Sequence, residues 1–584
     1  MKDRRGLILM HSQRRNTTPP GHNNETLRRQ LVHVGPCDSW MARYCVRVIK
    51  QGLTMRRYDT IGRTLALILT WLLATLCVDA WANENQPPEI SSENASEDNS
   101  TSDENTPPGS ALIAGEPISF EGLGLKATVG ATLRAGIHSD FPVDSDGTRL
   151  DGTLILNSRI RIGATYEKLL PFALLTLAYE HDFLSGPIHG SRSEVEGMFM
   201  PGSEDVVVQA LRKAYAQLSF GRYLHVKAGV TTSHWGLGMT ANDGAHGWKP
   251  GNARFADPRG GDRVLRAQLA TGPHGSEEFF FFTAADLLLG DDVLLEGDEG
   301  YQVVGGMKMG SEEGYQVGLY GAYRVQHSTT GDTTEVGIVD LFGAYSMSLC
   351  DRLRWEIAME GAVVFGSTSL APSAQFPTHD VLQIGAVLRT QLDAGMGGGV
   401  LDLIYASGDE DFDDKVQNGF RMDRNLETGL LLYRHVLAAM SARTTFTASD
   451  PDLVGVPSED LERLPTRGAA TNTIAIFPRA WVRPVDGLEI YGGPLVAFTE
   501  VSLADALNSR LAGGEVHNAL NGKPGAYLGT ELDLGVRFTT LLWGTELQLA
   551  VEAGILFPGD ALVDAGGEHM NMVWGGRAMA SYRF

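Results

Sequence analysis

Long apolar runs are almost missing from this chain. Over 584 residues a single segment near residue 65 approaches the roughly 18 consecutive apolar residues that a membrane helix needs. The body is therefore not a helical membrane protein. Cysteine is scarce too, at four residues, Cys37, Cys45, Cys77 and Cys350. An excess of positive charge is absent: 48 Lys and Arg face 71 Asp and Glu, which excludes nucleic acid as a partner. Zinc spacing is lacking among His225, His234, His246 and His274. Ser233 and His234 are adjacent, so in a strand they point to opposite faces and form no dyad alone. Neither a cofactor nor an enzymatic activity is expected.

The amino-terminal part reads as processed. Met55-Arg56-Arg57 with Arg63 is a basic region, Leu65 to Cys77 an apolar stretch, and Ala80-Trp81-Ala82 an A-x-A site. Together, residues 55–82 predict a secretory signal cut after Ala82. Residues 1–54 are Arg-rich and patternless, which fits a start placed upstream of a true start at Met55. Leu76 before Cys77 is bulkier than lipid-attachment sites usually take. The mature part would hold 35 basic and 66 acidic residues and one cysteine, Cys350, hence no internal disulfide. Residues 83–119, rich in Asn, Ser, Glu, Asp and Pro, predict a disordered acidic leader.

What remains is alternation. In Trp574–Phe584, Ala578, Ala580, Tyr582 and Phe584 share one face, and Arg577, Ser581 and Arg583 the other. An apolar face opposite a charged one suits a strand between lipid and water. A terminal aromatic strand resembles the bacterial outer-membrane barrels, whose assembly machinery would read Phe584. The rest predicts an all-β, transmembrane antiparallel β-barrel over 120–584. Strands are expected near 123–137, 153–167, 172–183, 207–220, 224–232, 263–271, 277–288, 301–309, 315–326, 335–348, 353–366, 380–392, 398–407, 428–443, 472–485, 488–501, 527–539, 545–556 and 573–584. Nineteen is odd and such barrels are even-numbered, so about eighteen are expected, with 224–232 and 277–288 the weakest. Val485-Asp486-Gly487 and Thr539-Thr540-Leu541 are expected tight turns. Counting back from a periplasmic carboxyl terminus puts acidic segment 408–426 in the periplasm, leaving either an exceptional loop or an unread strand between 426 and 472.

Alternation also sorts the faces. Trp355, Ile357 and Met359 face lipid, and so do Leu382, Ile384, Leu532, Leu534, Val536, Leu547 and Leu549. An Arg on that face at the midplane would cost about 2–4 kcal/mol, so the charges line a wet lumen. The inward cations are Arg159, Arg161, Lys213, Lys227, Arg266, Arg324, Arg354, Arg389, Arg479, Arg483, Arg537, Arg577 and Arg583. The inward anions are Glu356, Glu360, Asp402, Glu531, Asp533, Glu546 and Glu552. Cross-strand pairing would absorb about half of the cations; the surplus predicts preference for anions.

Several segments resemble the alginate-export family of outer-membrane barrels. Tyr405-Ala406-Ser407-Gly408-Asp409 with Phe420 resembles its Gly-Asp loop, and Asn425-Leu426-Glu427-Thr428-Gly429 the lead-in to its next strand. Leu528–Asp533 and Phe557-Pro558-Gly559-Asp560 are similar to its last strands. The resemblance implies eighteen strands and an Arg-rich lumen passing an anionic polysaccharide. Export of such a polymer from the outer membrane is the first expectation. A general or anion-selective nutrient porin is the alternative, and a barrel enzyme or adhesin a third. Asp409, Asp411 and Asp413 have D-x-D-x-D spacing but lack the Gly and final acid of a Ca²⁺ loop; a solvated acidic loop is the plainer reading. Ser502–Leu511 predicts a short helix over the pore mouth.

Overall fold

In a computed structural model the described residues are 118–120 and most of 124–584; the main internal stretches left undescribed are 190–207, 246–252, 256–260, 371–375 and 442–465. The expected signal, the upstream extension and nearly all of the acidic leader lie outside the described residues. The leader's last two residues belong to a short strand, Ile118–Phe120, which pairs antiparallel with Leu125–Ala127.

The main sheet has 20 strands. Two, Ile118–Phe120 and Val416–Gln417, are short additions; the other eighteen close on themselves, each antiparallel to the next. They are β1 (Leu125–His138), β2 (Ile155–Leu169), β3 (Leu174–His189), β4 (Val208–Phe220), β5 (Leu224–Thr232), β6 (Arg263–His274), β7 (Phe279–Gly290), β8 (Glu299–Gly310) and β9 (Tyr315–His327). They continue as β10 (Thr333–Cys350), β11 (Leu353–Thr368), β12 (His379–Asp393), β13 (Gly397–Ala406), β14 (Thr473–Val485), β15 (Leu488–Phe498), β16 (Tyr527–Leu542), β17 (Thr545–Pro558) and β18 (Val573–Arg583). β18 pairs with β1 from Gly130↔Arg583 to His138↔Gly575. The last residue adds a final rung: Val129 N donates to Phe584 O at 2.8 Å, and Phe584 N to Val129 O at 3.0 Å.

Closure leaves no open edge in the ring, which is what a sheet in lipid requires. The outer face is apolar and exposed: Leu265, Leu269, Val303, Leu341, Met359, Leu382, Leu534 and Val551 are each more than a third exposed. The inner face is polar and covered: Arg161, Asp182, Asp340, Glu360, Asp402, Arg479 and Glu552 are buried. A soluble protein has the reverse arrangement.

One expected strand is absent. The described residues of 428–443, up to Ser441, form no strand; Leu432–Leu437 is a π-helical turn continuing as helix to Ser441. Both weak segments are real strands, β5 and β7. Removing 428–443 restores an even count and resolves the loop-side conflict. The segment 407–472 becomes one connection, and it leaves the barrel at the same end as 139–154, 233–262, 499–526 and 559–572. The opposite end, where both chain termini of the barrel lie, has only tight turns. The expected turn at Thr539–Leu541 is displaced: these residues still pair with Glu546–Gln548, and pairing runs on to Leu542↔Thr545. The expected short helix is α1 (Ala506–Leu511), capped by Asp505, whose side chain accepts from Asn508 N.

Candidate functional site

The lumen is not an empty tube. The described parts of the 233–262 connection, after it leaves β5, enter the barrel. Trp235 donates its indole N–H to Asp340 of β10 at 3.1 Å, and Thr240 Oγ1 donates to the same carboxylate at 2.7 Å. Glu360 of β11 accepts from the backbone N–H of Leu237 and of Met239. The indole lies over Gly318 of β9, where a Cβ would come within 2.7 Å of the ring, so only glycine admits it. Further on, Arg212 of β4 donates to the carbonyl of Asp243 at 2.5 Å. The segment then reaches the far wall. Phe255 N and Arg254 Nε both donate to Glu427, Arg537 Nη2 donates to Arg254 O at 3.2 Å, and Arg577 Nη2 to Phe255 O at 2.5 Å. Ala253 sits at φ 46°, a left-handed conformation that a non-glycine residue adopts under external constraint. The flanking hydrogen bonds supply that constraint.

A second insertion comes from the 407–472 connection. Leu430, Leu431 and Leu432 donate three backbone N–H groups to Glu531 of β16 at 2.6–2.8 Å. Leu431, Tyr433, Val436, Phe420 and Met422 pack with Phe477, Tyr491, Leu495, Leu556 and Val573 from the inner wall. The apolar core of this molecule therefore lies inside the barrel, under the long loops. A Cβ on Gly575 would come within 2.7 Å of Leu431; wall glycines make room for the inserted side chains.

All the expected inward cations are on the inner side of the ladder, and most are engaged. Arg161 grips Asp182 at 2.6 and 2.8 Å. Lys213 lies 3.5 Å from Glu180, and Arg266 holds Asp286 at 2.7 Å through two nitrogens. Arg389 holds Asp402 at 2.7 and 2.8 Å, and Arg479 bridges Asp402 and Glu427. Arg537 and Arg577 share Glu552 at 3.0 and 2.5 Å. Arg483 pairs with Glu489 at 3.1 Å, Arg324 pairs with Asp291, and Arg354 lies at the exposed rim, 2.8 Å from Glu356. Arg159 lies among Arg161, Arg212, Asp182 and Arg583. Lys227 stands 4.6 Å over the ring of Tyr215.

The pairs are unequal. Glu180 and Asp182 serve Arg161, Arg212 and Lys213; Asp402, Glu427 and Glu552 serve Arg254, Arg389, Arg479, Arg537 and Arg577. In these two clusters the cations outnumber the carboxylates they share, and pairing takes more than the half of the expected cations foreseen from sequence. The inward anions do different work from that expected. Glu531 is covered by the N–H groups it receives, and Asp533 beside it is also buried, so neither faces open water.

Sequence reading missed Arg212 and Arg134, both buried on the inner side. Arg134 follows the simple alternation of β1. Arg212 is hidden by a bulge: Glu180 pairs with Lys213, yet His181 pairs with Leu211. The extra residue lets neighbouring Arg212 and Lys213 both face inward.

The acidic loop shows a structural use for its carboxylates. Asp409 accepts from Asp411 N at 3.2 Å and Asn418 N at 3.0 Å, and burial pushes its carboxyl up to about 6. Asp411 is exposed and Asp413 lies outside the described residues. Among the described residues no cluster of three or more His, Cys, Asp or Glu is placed to hold a metal ion. Ser233 Oγ accepts from Arg266 at 2.9 Å, and His225 bonds Ser219 Oγ and Gly272 O. Asn425–Gly429, expected to lead into a strand, leads into the helical insert.

No family model matches the chain, and no curated protein matches it. Among solved structures, OccK2 (OpdF) of Pseudomonas aeruginosa overlaps with TM-score 0.48 at 10% identity, covering 79% of this chain and 97% of that one. OpdK of the same organism, solved with vanillate, gives 0.45 at 12% over 78% and 98%. OccAB2 of Acinetobacter baumannii gives 0.45 at 11% over 78% and 98%. Similarity at this level marks no family.

Proposed function

We propose that the chain forms an anion-selective channel of the bacterial outer membrane for small solutes. One observation carries this reading: the described parts of the connection after β5, residues 233–245 and 253–255, are fastened to different walls of the lumen, beside clusters in which the cations outnumber the carboxylates they share. A surplus of fixed positive charge in a narrow wet passage lowers the energy of an anion and raises that of a cation. A peptide fastened inside the lumen obstructs the continuous thread of a polysaccharide more than the passage of a small molecule. This favours uptake of small anions over export of an anionic polymer. In this orientation the long loops are extracellular and the tight turns periplasmic, the usual arrangement for such barrels.

The test is a reversal potential in planar bilayers under a potassium chloride gradient at neutral pH. Chloride is expected to be the more permeant ion, and a cation preference overturns the proposal. Long polyuronate chains are expected to leave the current uninterrupted. Voltage-driven threading of those chains would restore the export reading.

A further inference from the structure

The arginines of the lumen are tied down, and two lysines are not. Lys308, on the inner face of β8 between the outward Met307 and Met309, was not foreseen from sequence. Neither Lys308 nor Lys227 has a carboxylate within salt-bridge reach among the described residues; the negative groups that act on Lys308 are the more distant Glu312 and Glu278. Between them runs β7, whose inner face carries Phe280 and Phe282, each half-buried, with rings 6.3 Å apart.

The register orders these four side chains along the wall. Lys227 pairs with Gln268, which pairs with Ala284. Phe282 and Phe280 follow Ala284 in two-residue steps along β7, and Phe280 pairs with Lys308. From the level of Lys227 to that of Lys308 is thus four residues, about 13 Å. Along the strands the order is the Lys227 ammonium, then Phe282, then Phe280 and Lys308 side by side. Phe282 is backed by Trp235 and Tyr320, the first of which belongs to the fastened segment.

Phenyl rings left partly exposed on the inside of a wet channel are unfavourable unless something apolar visits them. Unpaired ammonium groups beside them supply a complementary charge at low cost, because no existing ion pair must be broken. We propose that Lys227, Phe282, Phe280 and Lys308 form a binding strip for organic anions that carry an apolar ring or chain. The inference rests on the anion-channel reading and adds the class of solute. A carboxylate is held by one lysine while its apolar part lies on the phenyl faces, and the second lysine receives it at the next level. The tightly paired arginines set the potential of the lumen, and the lysines make the contact.

The experiment uses the full barrel in planar bilayers and reads single-channel interruptions with three probes. These are cyclohexanecarboxylate, acetate (the charge without the ring) and cyclohexanol (the ring without the charge). Interruptions about tenfold longer are expected with cyclohexanecarboxylate than with acetate, the value of one ring contact, and none with cyclohexanol. Phe280→Ala with Phe282→Ala should remove the difference while leaving the chloride current. Lys227→Gln with Lys308→Gln should remove the interruptions altogether. If the double alanine barrel does not assemble, Phe280→Leu makes the comparison at one ring with apolar volume kept. Equal interruptions for cyclohexanecarboxylate and acetate in an anion-selective channel overturn the strip and leave the proposed function standing. A cation-selective or silent channel overturns both.

Discussion

At the scale of single residues, the inner wall shows how a charged side chain is kept where water is scarce. Arg212 is 1% exposed and is held by Glu180 at 3.0 Å and by the carbonyl of Asp243. Removing it leaves Glu180 to Arg161 and Lys213 and frees one tie of the fastened segment. Breaking such a buried pair typically costs about 3–5 kcal/mol, so Arg212→Ala should lower the unfolding midpoint of the purified barrel clearly. Lys308→Gln breaks no pair and should leave the midpoint unchanged, which makes it the control in the same denaturation series. The difference between these two residues was invisible in the sequence. Both are basic residues in strands, but the role of each depends on register and on a bulge, which the residue order does not display.

At the scale of elements, strands were the legible part. Lipid on one side and water on the other force a two-residue period, and the outer faces of β11, β12, β16 and β17 follow it residue by residue. The 428–443 segment escaped for a physical reason. Leu430, Leu431, Leu432, Tyr433, Val436, Leu437 and Met440 are buried on every side, as in a soluble core, and a short apolar run cannot reveal whether lipid or protein surrounds it. The segment fastened inside the lumen was no more legible, since Gly, Asn, Asp and Pro occur in loops wherever they lead. Trp235 supplies the one bulky anchor at its start, so Trp235→Ala should remove the indole bond to Asp340 and open the space above Gly318, leaving Thr240 on Asp340 and Leu237 and Met239 on Glu360. The expected result is a larger and noisier single-channel conductance with the anion preference retained. An unchanged conductance would mean that the ties to Asp340, Glu360 and Arg212 and those at Arg254 and Phe255 hold the segment without the indole.

At the scale of the whole molecule, two apolar environments coexist in one chain. The outer leucines are solvated by hydrocarbon and the inner ones by each other, separated by one closed ladder of backbone hydrogen bonds. The sheet itself depends on residues far apart in the chain, because β1 and β18 meet across almost its entire length. Phe584 supplies the last rung. Deleting Phe584 should leave the other rungs between β1 and β18 intact, yet lower the yield of heat-modifiable, membrane-inserted barrel. An undiminished yield would show that this rung is dispensable.

That seam gives the chain a timetable. Seventeen of the junctions join strands that follow one another in the chain, and each can form as soon as its second member has arrived. The eighteenth cannot. Until the final residue is delivered, the leading strand waits with one side unpaired, and the short Ile118–Phe120 segment lies along that side of it, just beyond the seam. A nascent barrel is thus an open curtain until the end of its own synthesis and export. Whatever chaperones it must shield the first strand for the longest interval, and a truncated product is recognisable as one by a gap that never closes.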